Sequence, residues 1–172
     1  MFDSLRLDFQ PAGNTLIGDN ECGKSSVLLA PDLVLSDSRH REEMLGAESL
    51  LSRQAFRAGQ RRAILLPELI ADVFLSYTGN PDLNGRQNLM ESDADGLRMH
   101  IAPMLDEYGQ DIRHVLEEDP ASFPFEYYAV KFFTFSGGPY AGFSRHVRHL
   151  MLDSARLTPI MLRRSTPVPF TT

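Results

Sequence analysis

The chain has 172 residues, of which 42% are hydrophobic and 23% are charged, a balance typical of a soluble globular protein with a sizeable core. Its formal charge of −6, from 17 basic and 23 acidic residues, argues against a protein that binds nucleic acid by itself through a basic face. One cysteine excludes an intramolecular disulfide, and there is neither a signal-peptide pattern nor an apolar run long enough to span a membrane. These features predict a cytoplasmic protein that does not enter a membrane.

The N-terminal residues predict two short strands. Residues 5–9 alternate apolar and polar side chains, which is the pattern of a half-buried strand. Residues 11–14, Pro-Ala-Gly-Asn, are typical of a turn. Residues 14–17 are apolar and partly β-branched, so we expect a second strand that leads into the segment that follows.

That segment is a complete phosphate-binding loop of the Walker A type. Glycines in such a loop allow successive N–H groups to face phosphate oxygens, the lysine contacts the β- and γ-phosphates, and the serine hydroxyl ligates Mg²⁺. The loop also opens a helix, whose positive end favours an anion. The residues predicted to bind phosphate, with Ser25 as the metal ligand, are Gly18, Asn20, Glu21, Cys22, Gly23, Lys24, Ser25 and Ser26.

Beyond the loop the pattern is mixed. A helix is predicted over residues 24–36, with Pro31 either kinking it or forcing it to restart. Further helices are predicted at 49–58, 111–118 and 143–150, strands at 65–77, 97–103, 125–135 and 149–153, and turns at 77–82, 84–85, 93–96 and 137–139. Residues 157–172 carry three prolines and no clear period, which predicts an irregular or disordered tail.

The strand pair, the loop from Thr15 to Leu29 and the strands that follow resemble the ABC-type ATPase heads of SMC and RecF relatives, and in particular the OLD family of ATP-dependent endonucleases. The resemblance covers residues 1–156. It implies an α/β fold, a P-loop NTPase of which this chain is an incomplete ABC-ATPase-like first lobe with a mostly antiparallel β subdomain. It also implies ATP and Mg²⁺ as cofactors, a head-to-head homodimer of complete heads around two ATP molecules, and DNA as a partner only of the full-length parent.

The sequence departs from that family in its catalytic half. A Walker B strand ends in Asp-Glu, whereas the nearest candidate, Asp153, follows three apolar residues and precedes a serine. Asp93 and Asp95 have the spacing of a metal pair, but a turn is the favoured interpretation. His146 and His149 lack a third ligand, which favours a surface pair over zinc. We therefore expect an N-terminal fragment without the nuclease or the Walker B and signature half.

Two other functions stay open. A small P-loop kinase or GTPase would begin in the same way, but the sequence lacks the Asn-Lys-x-Asp pattern that reads a guanine base. An inactive remnant, or a protein that acts only by pairing with a partner, is the other alternative. For Cys22 a redox-sensitive thiol and a small filler residue are both possible, and the filler is favoured.

Overall fold

The computed structural model describes residues 4–19, 23–36, 66–76, 78–119 and 123–140. These residues form a mixed α/β structure around an open antiparallel sheet, so the α/β class and the antiparallel character of the sheet are confirmed. The elements in chain order are α1 (Lys24–Leu35), β1 (Leu69–Phe74), β2 (Asn84–Gly85), β3 (Ala94–Pro103), α2 (Leu105–Glu118), a 3-10 turn (Phe125–Tyr127) and β4 (Tyr128–Thr134).

Strand β3 is the centre of the sheet. It pairs antiparallel with β1 along one edge, from Leu69 opposite Ile101 to Phe74 opposite Gly96. Along the other edge it pairs antiparallel with β4. The short β2 pairs with the first residues of β3, where Asn84 lies opposite Asp95. All the described strands are therefore held in register by one ten-residue strand.

The two faces of β3 differ in polarity. Leu97, Met99 and Ile101 are almost fully buried, whereas the alternate residues Arg98 and His100 are only partly buried. This two-residue period places one apolar face against the core. Helix α1 covers that face, and its buried contribution to the same core cluster is Leu33 and Val34.

Helix α1 passes through Pro31 as one continuous helix, so of the two outcomes predicted for this proline, a kink or a restart, the restart is wrong. Proline has no N–H, so the helix lacks the ladder bond to the carbonyl of Val27. The turn after the proline is buried, and at the C-terminus both the amide and the hydroxyl of Ser36 donate to the carbonyl of Asp32. Burial of the apolar side chains of Leu33 and Val34 in this last turn stabilises the helix against the local cost of the proline.

The two strands predicted before the loop are wrong. Residues 5–9 and 14–17 are not in strands, and large apolar side chains of this segment are exposed, Ile17 to 91%. Only the turn between them is present, closed by the side chain of Asn14, which accepts from the amide of Gln10 at 2.8 Å and donates to its carbonyl at 2.9 Å. A strand needs a ladder partner, and among the described residues this segment has none.

Other predicted elements differ from the observed ones in type or in bounds. The predicted turn at 93–96 is the start of β3, and the predicted turn at 84–85 is β2, because the two segments pair with each other. Helix α2 begins at Leu105 rather than 111, although Tyr108 has non-helical angles. The predicted strand at 125–135 starts with the 3-10 turn. The elements predicted at 49–58, 143–150 and 149–153 and the tail at 157–172 lie outside the described residues.

A bidentate ion pair links β1 and β3 on the face away from α1. Nε of Arg98 lies 2.7 Å from one carboxylate oxygen of Asp72, and a second guanidinium nitrogen lies 2.8 Å from the other. The amide of Leu89 also donates to this carboxylate at 2.7 Å, and only 4% of the Asp72 side chain is exposed. Because it also accepts from the amide of Leu89, the Asp72 carboxylate joins three segments of the chain, namely β1, β3 and the loop around Leu89.

Replacing Asp72 with Ala should lower the free energy of unfolding by about 3 kcal/mol, because it leaves the Arg98 guanidinium and the Leu89 amide without their acceptor. The matched control is Asp8→Ala, which removes the partner of Arg6 from an exposed pair and should cost at most about 0.5 kcal/mol. Urea unfolding of both variants measures the difference. Equal losses in the two variants would contradict the central role of Asp72.

Gly96→Ala should destabilise the fold by about 1–3 kcal/mol. A β-carbon at Gly96 would lie 2.2 Å from the ring of Phe135 and 2.6 Å from the carbonyl oxygen of Val73, and a backbone oxygen in a paired strand cannot move away freely. Gly109→Ala is the control, because a β-carbon there meets nothing within 4 Å and alanine favours the helix. Thermal unfolding should show a lower midpoint for the first variant and an unchanged or higher one for the second.

Candidate functional site

Gly23 ends the predicted phosphate loop and begins α1. Its φ of 94° lies in the left-handed region, which glycine adopts without the steric cost that a β-carbon brings. Its carbonyl accepts the first ladder bond, from the amide of Val27 at 3.1 Å. The backbone therefore requires glycine at this second motif position, because the chain enters the helix through a left-handed conformation at this residue.

The side chain of Lys24 closes the loop on itself. Its ammonium donates to the carbonyl oxygen of Gly18 at 2.6 Å and to that of Asp19 at 2.5 Å. The first residue of the helix is thus tied to the first two residues of the loop, six and five positions earlier. Charge-assisted hydrogen bonds of this kind are about twice as strong as neutral ones, so they hold the two ends of the loop together.

The first turn of α1 presents its hydroxyl groups to solvent. Ser25 and Ser26 are both exposed, and within the described helix no acidic residue occupies the first turn. The unpaired N–H groups and the dipole of a helix start favour an anion there. A hydroxyl at Ser25 is also the chemical type of ligand that Mg²⁺ takes next to a bound phosphate.

The structure brings together five of the eight predicted site residues, namely Gly18, Gly23, Lys24, Ser25 and Ser26. Asn20, Glu21 and Cys22 lie outside the described residues, as do Asp153, His146 and His149. Among the described residues, no group of three or more His, Cys, Asp or Glu side chains is arranged to hold a metal ion.

Asp95 has a structural role that the sequence does not reveal. Its carboxylate accepts hydrogen bonds from the amide of Thr78 at 2.6 Å, the hydroxyl of Thr78 at 2.7 Å and the side-chain amide of Asn84 at 2.9 Å. The backbone bond from Thr78, then the bonds from Asn84 and the Thr78 hydroxyl, lower the pKa of Asp95 below its usual range. The interpretation of residues 93–96 as a turn is wrong, and Asp95 instead fixes the loop between β1 and β2 to the start of β3.

Comparisons with protein-family models, with curated proteins and with solved structures find no match to this chain. In the part of the chain that the structure describes, no helix has both the length and the apolar character needed to cross a membrane.

The contribution of Asp95 to stability should depend on pH. Its pKa in the folded state lies below the unfolded value of about 3.9, so its stabilising effect is present above about pH 4 and is lost as the pH falls through the folded-state pKa. Asp95→Asn should therefore be less stable than wild type at neutral pH, and the difference should shrink in acid. Urea midpoints measured from about pH 7 down to about pH 2 test this expectation.

Asp93→Asn is the matched control, because Asp93 is an exposed carboxylate two residues away. The stability of the Asp93→Asn variant should equal that of the wild type at each pH. A stability difference for Asp95→Asn that stays constant across the pH range would contradict a role for the charged carboxylate.

Proposed function

We propose that this chain is the ATP-binding module of a P-loop ATPase, an ABC-type head similar to those of the OLD family of ATP-dependent endonucleases. The observation that carries the proposal is the contact of the Lys24 ammonium with the carbonyls of Gly18 and Asp19. It joins the first glycine and the lysine of the Walker A pattern, which are the two residues that must come together if the loop is to surround a phosphate.

The chemistry follows from the groups at the loop. The ammonium of Lys24 would meet the β- and γ-phosphates, and the N–H groups at the start of α1 would donate to phosphate oxygens. The hydroxyl of Ser25 would ligate Mg²⁺, whose charge offsets that of the phosphates. These groups would bind ATP and Mg²⁺. Hydrolysis also needs a residue that positions the attacking water, and that residue would belong to the second half of a complete head.

The fold agrees with this proposal in a coarse way. An open antiparallel sheet follows the loop and its helix, as the resemblance to ABC-type heads implies. Cleavage of DNA would belong to the full-length parent, and a head-to-head dimer would need complete heads. ATP binding is therefore the activity that we assign to the chain itself.

One observation favours the alternative of an inactive remnant. A phosphate loop is normally anchored by a strand immediately before it, yet residues 13–19 form no strand and Ile17 is 91% exposed. A loop without this anchor starts from a broader set of conformations, and ordering it on binding lowers the affinity. The alternative predicts a folded protein that does not bind ATP.

Binding of a fluorescent ATP analogue with excess Mg²⁺ should be saturable in the wild type and roughly 100-fold weaker in Lys24→Ala, because the variant loses charge-assisted bonds to the phosphates. The chain has one other lysine, Lys131, which is exposed on β4, so Lys131→Ala is a control of equal charge and size. The control should bind as the wild type does. A folded wild-type protein that does not bind the analogue would overturn the proposal and favour the remnant.

A further inference from the structure

The loop carries a negative charge at the point where the lysine contacts it. The carbonyl of Asp19 lies 2.5 Å from the Lys24 ammonium, and the side chain of Asp19 is exposed. Since the carboxylate is attached to the same residue as that carbonyl, it lies well within a Debye length of about 8–10 Å of the lysine. A charge at this distance acts on any anion that the lysine binds.

We infer that Asp19 shifts the preference of this loop towards metal-complexed over free nucleoside triphosphate, an inference that rests on the proposed function. Free ATP carries a charge of about −4 and its Mg²⁺ complex about −2, so a fixed carboxylate repels the free form about twice as strongly. The Lys24 side chain attracts both forms. The ammonium attracts the free form about twice as strongly as the complex, so the lysine alone favours free nucleotide, and the Asp19 carboxylate offsets that preference.

The test compares the affinity of the fluorescent ATP analogue in EDTA and in excess Mg²⁺, at low ionic strength, for wild type and Asp19→Asn. The substitution keeps the backbone carbonyl that holds Lys24 and removes only the charge. We expect binding to tighten roughly tenfold in EDTA and roughly threefold in Mg²⁺, because the repulsion scales with the charge of the ligand. At about 0.5 M salt both gains should largely disappear, because the Debye length is then only a few ångströms.

Asp8→Asn is the matched control, since it removes one exposed negative charge from the same N-terminal segment at a residue that makes no described contact with the lysine. It should leave the ratio of the two affinities unchanged. If the wild type binds the analogue and Asp19→Asn shows the same Mg²⁺ preference, the inference is overturned and the proposed function stands. Absence of wild-type binding in both buffers would instead overturn the proposed function.

Discussion

The pairing of β3 with every other described strand is the constraint on which this structure depends. One ten-residue strand sets the register of β1, β2 and β4, and its alternation puts Leu97, Met99 and Ile101 on the face that α1 covers. A shift of one residue would exchange that face for Arg98 and His100. The apolar pattern of β3 therefore determines both the register of the sheet and the face on which α1 packs.

The site is connected to this core through α1. Leu33 and Val34, near the end of the helix, are buried against the sheet, while Gly23 and Lys24 begin it at the loop. A helix held at its C-terminal turn by packing can present its N-terminal groups in a defined direction. The position of the predicted phosphate loop thus depends on the hydrophobic effect at one end of α1 and on the lysine contacts at the other.

The polar contacts hold the loops of the structure together. The carboxylate of Asp72 joins two strands and the loop at Leu89, and that of Asp95 joins the loop at Thr78 to β2 and β3. Both carboxylates are buried and satisfied by several donors, which is the condition under which a buried charge stabilises a fold. The structural carboxylates thus lie in the sheet, whereas the partly buried Lys24 and the exposed Asp19 lie at the loop.

The helix that begins at Lys24 and the apolar strands of the sheet could be predicted from the sequence alone, whereas the phosphate loop before that helix stays a prediction. The alternation in β3 has a fixed period, so it could be recognised without knowledge of the strand's neighbours. The elements that need a hydrogen-bonding partner from a distant segment followed only from the tertiary structure. Residues 5–9 alternate as a strand does but pair with nothing in the described chain, whereas residues 94–96, within the predicted turn, are in a strand because they pair with β1 and β2. The roles of Asp72 and Asp95 were equally hidden, because their partners lie on other segments and a carboxylate acquires its donors only when those segments meet.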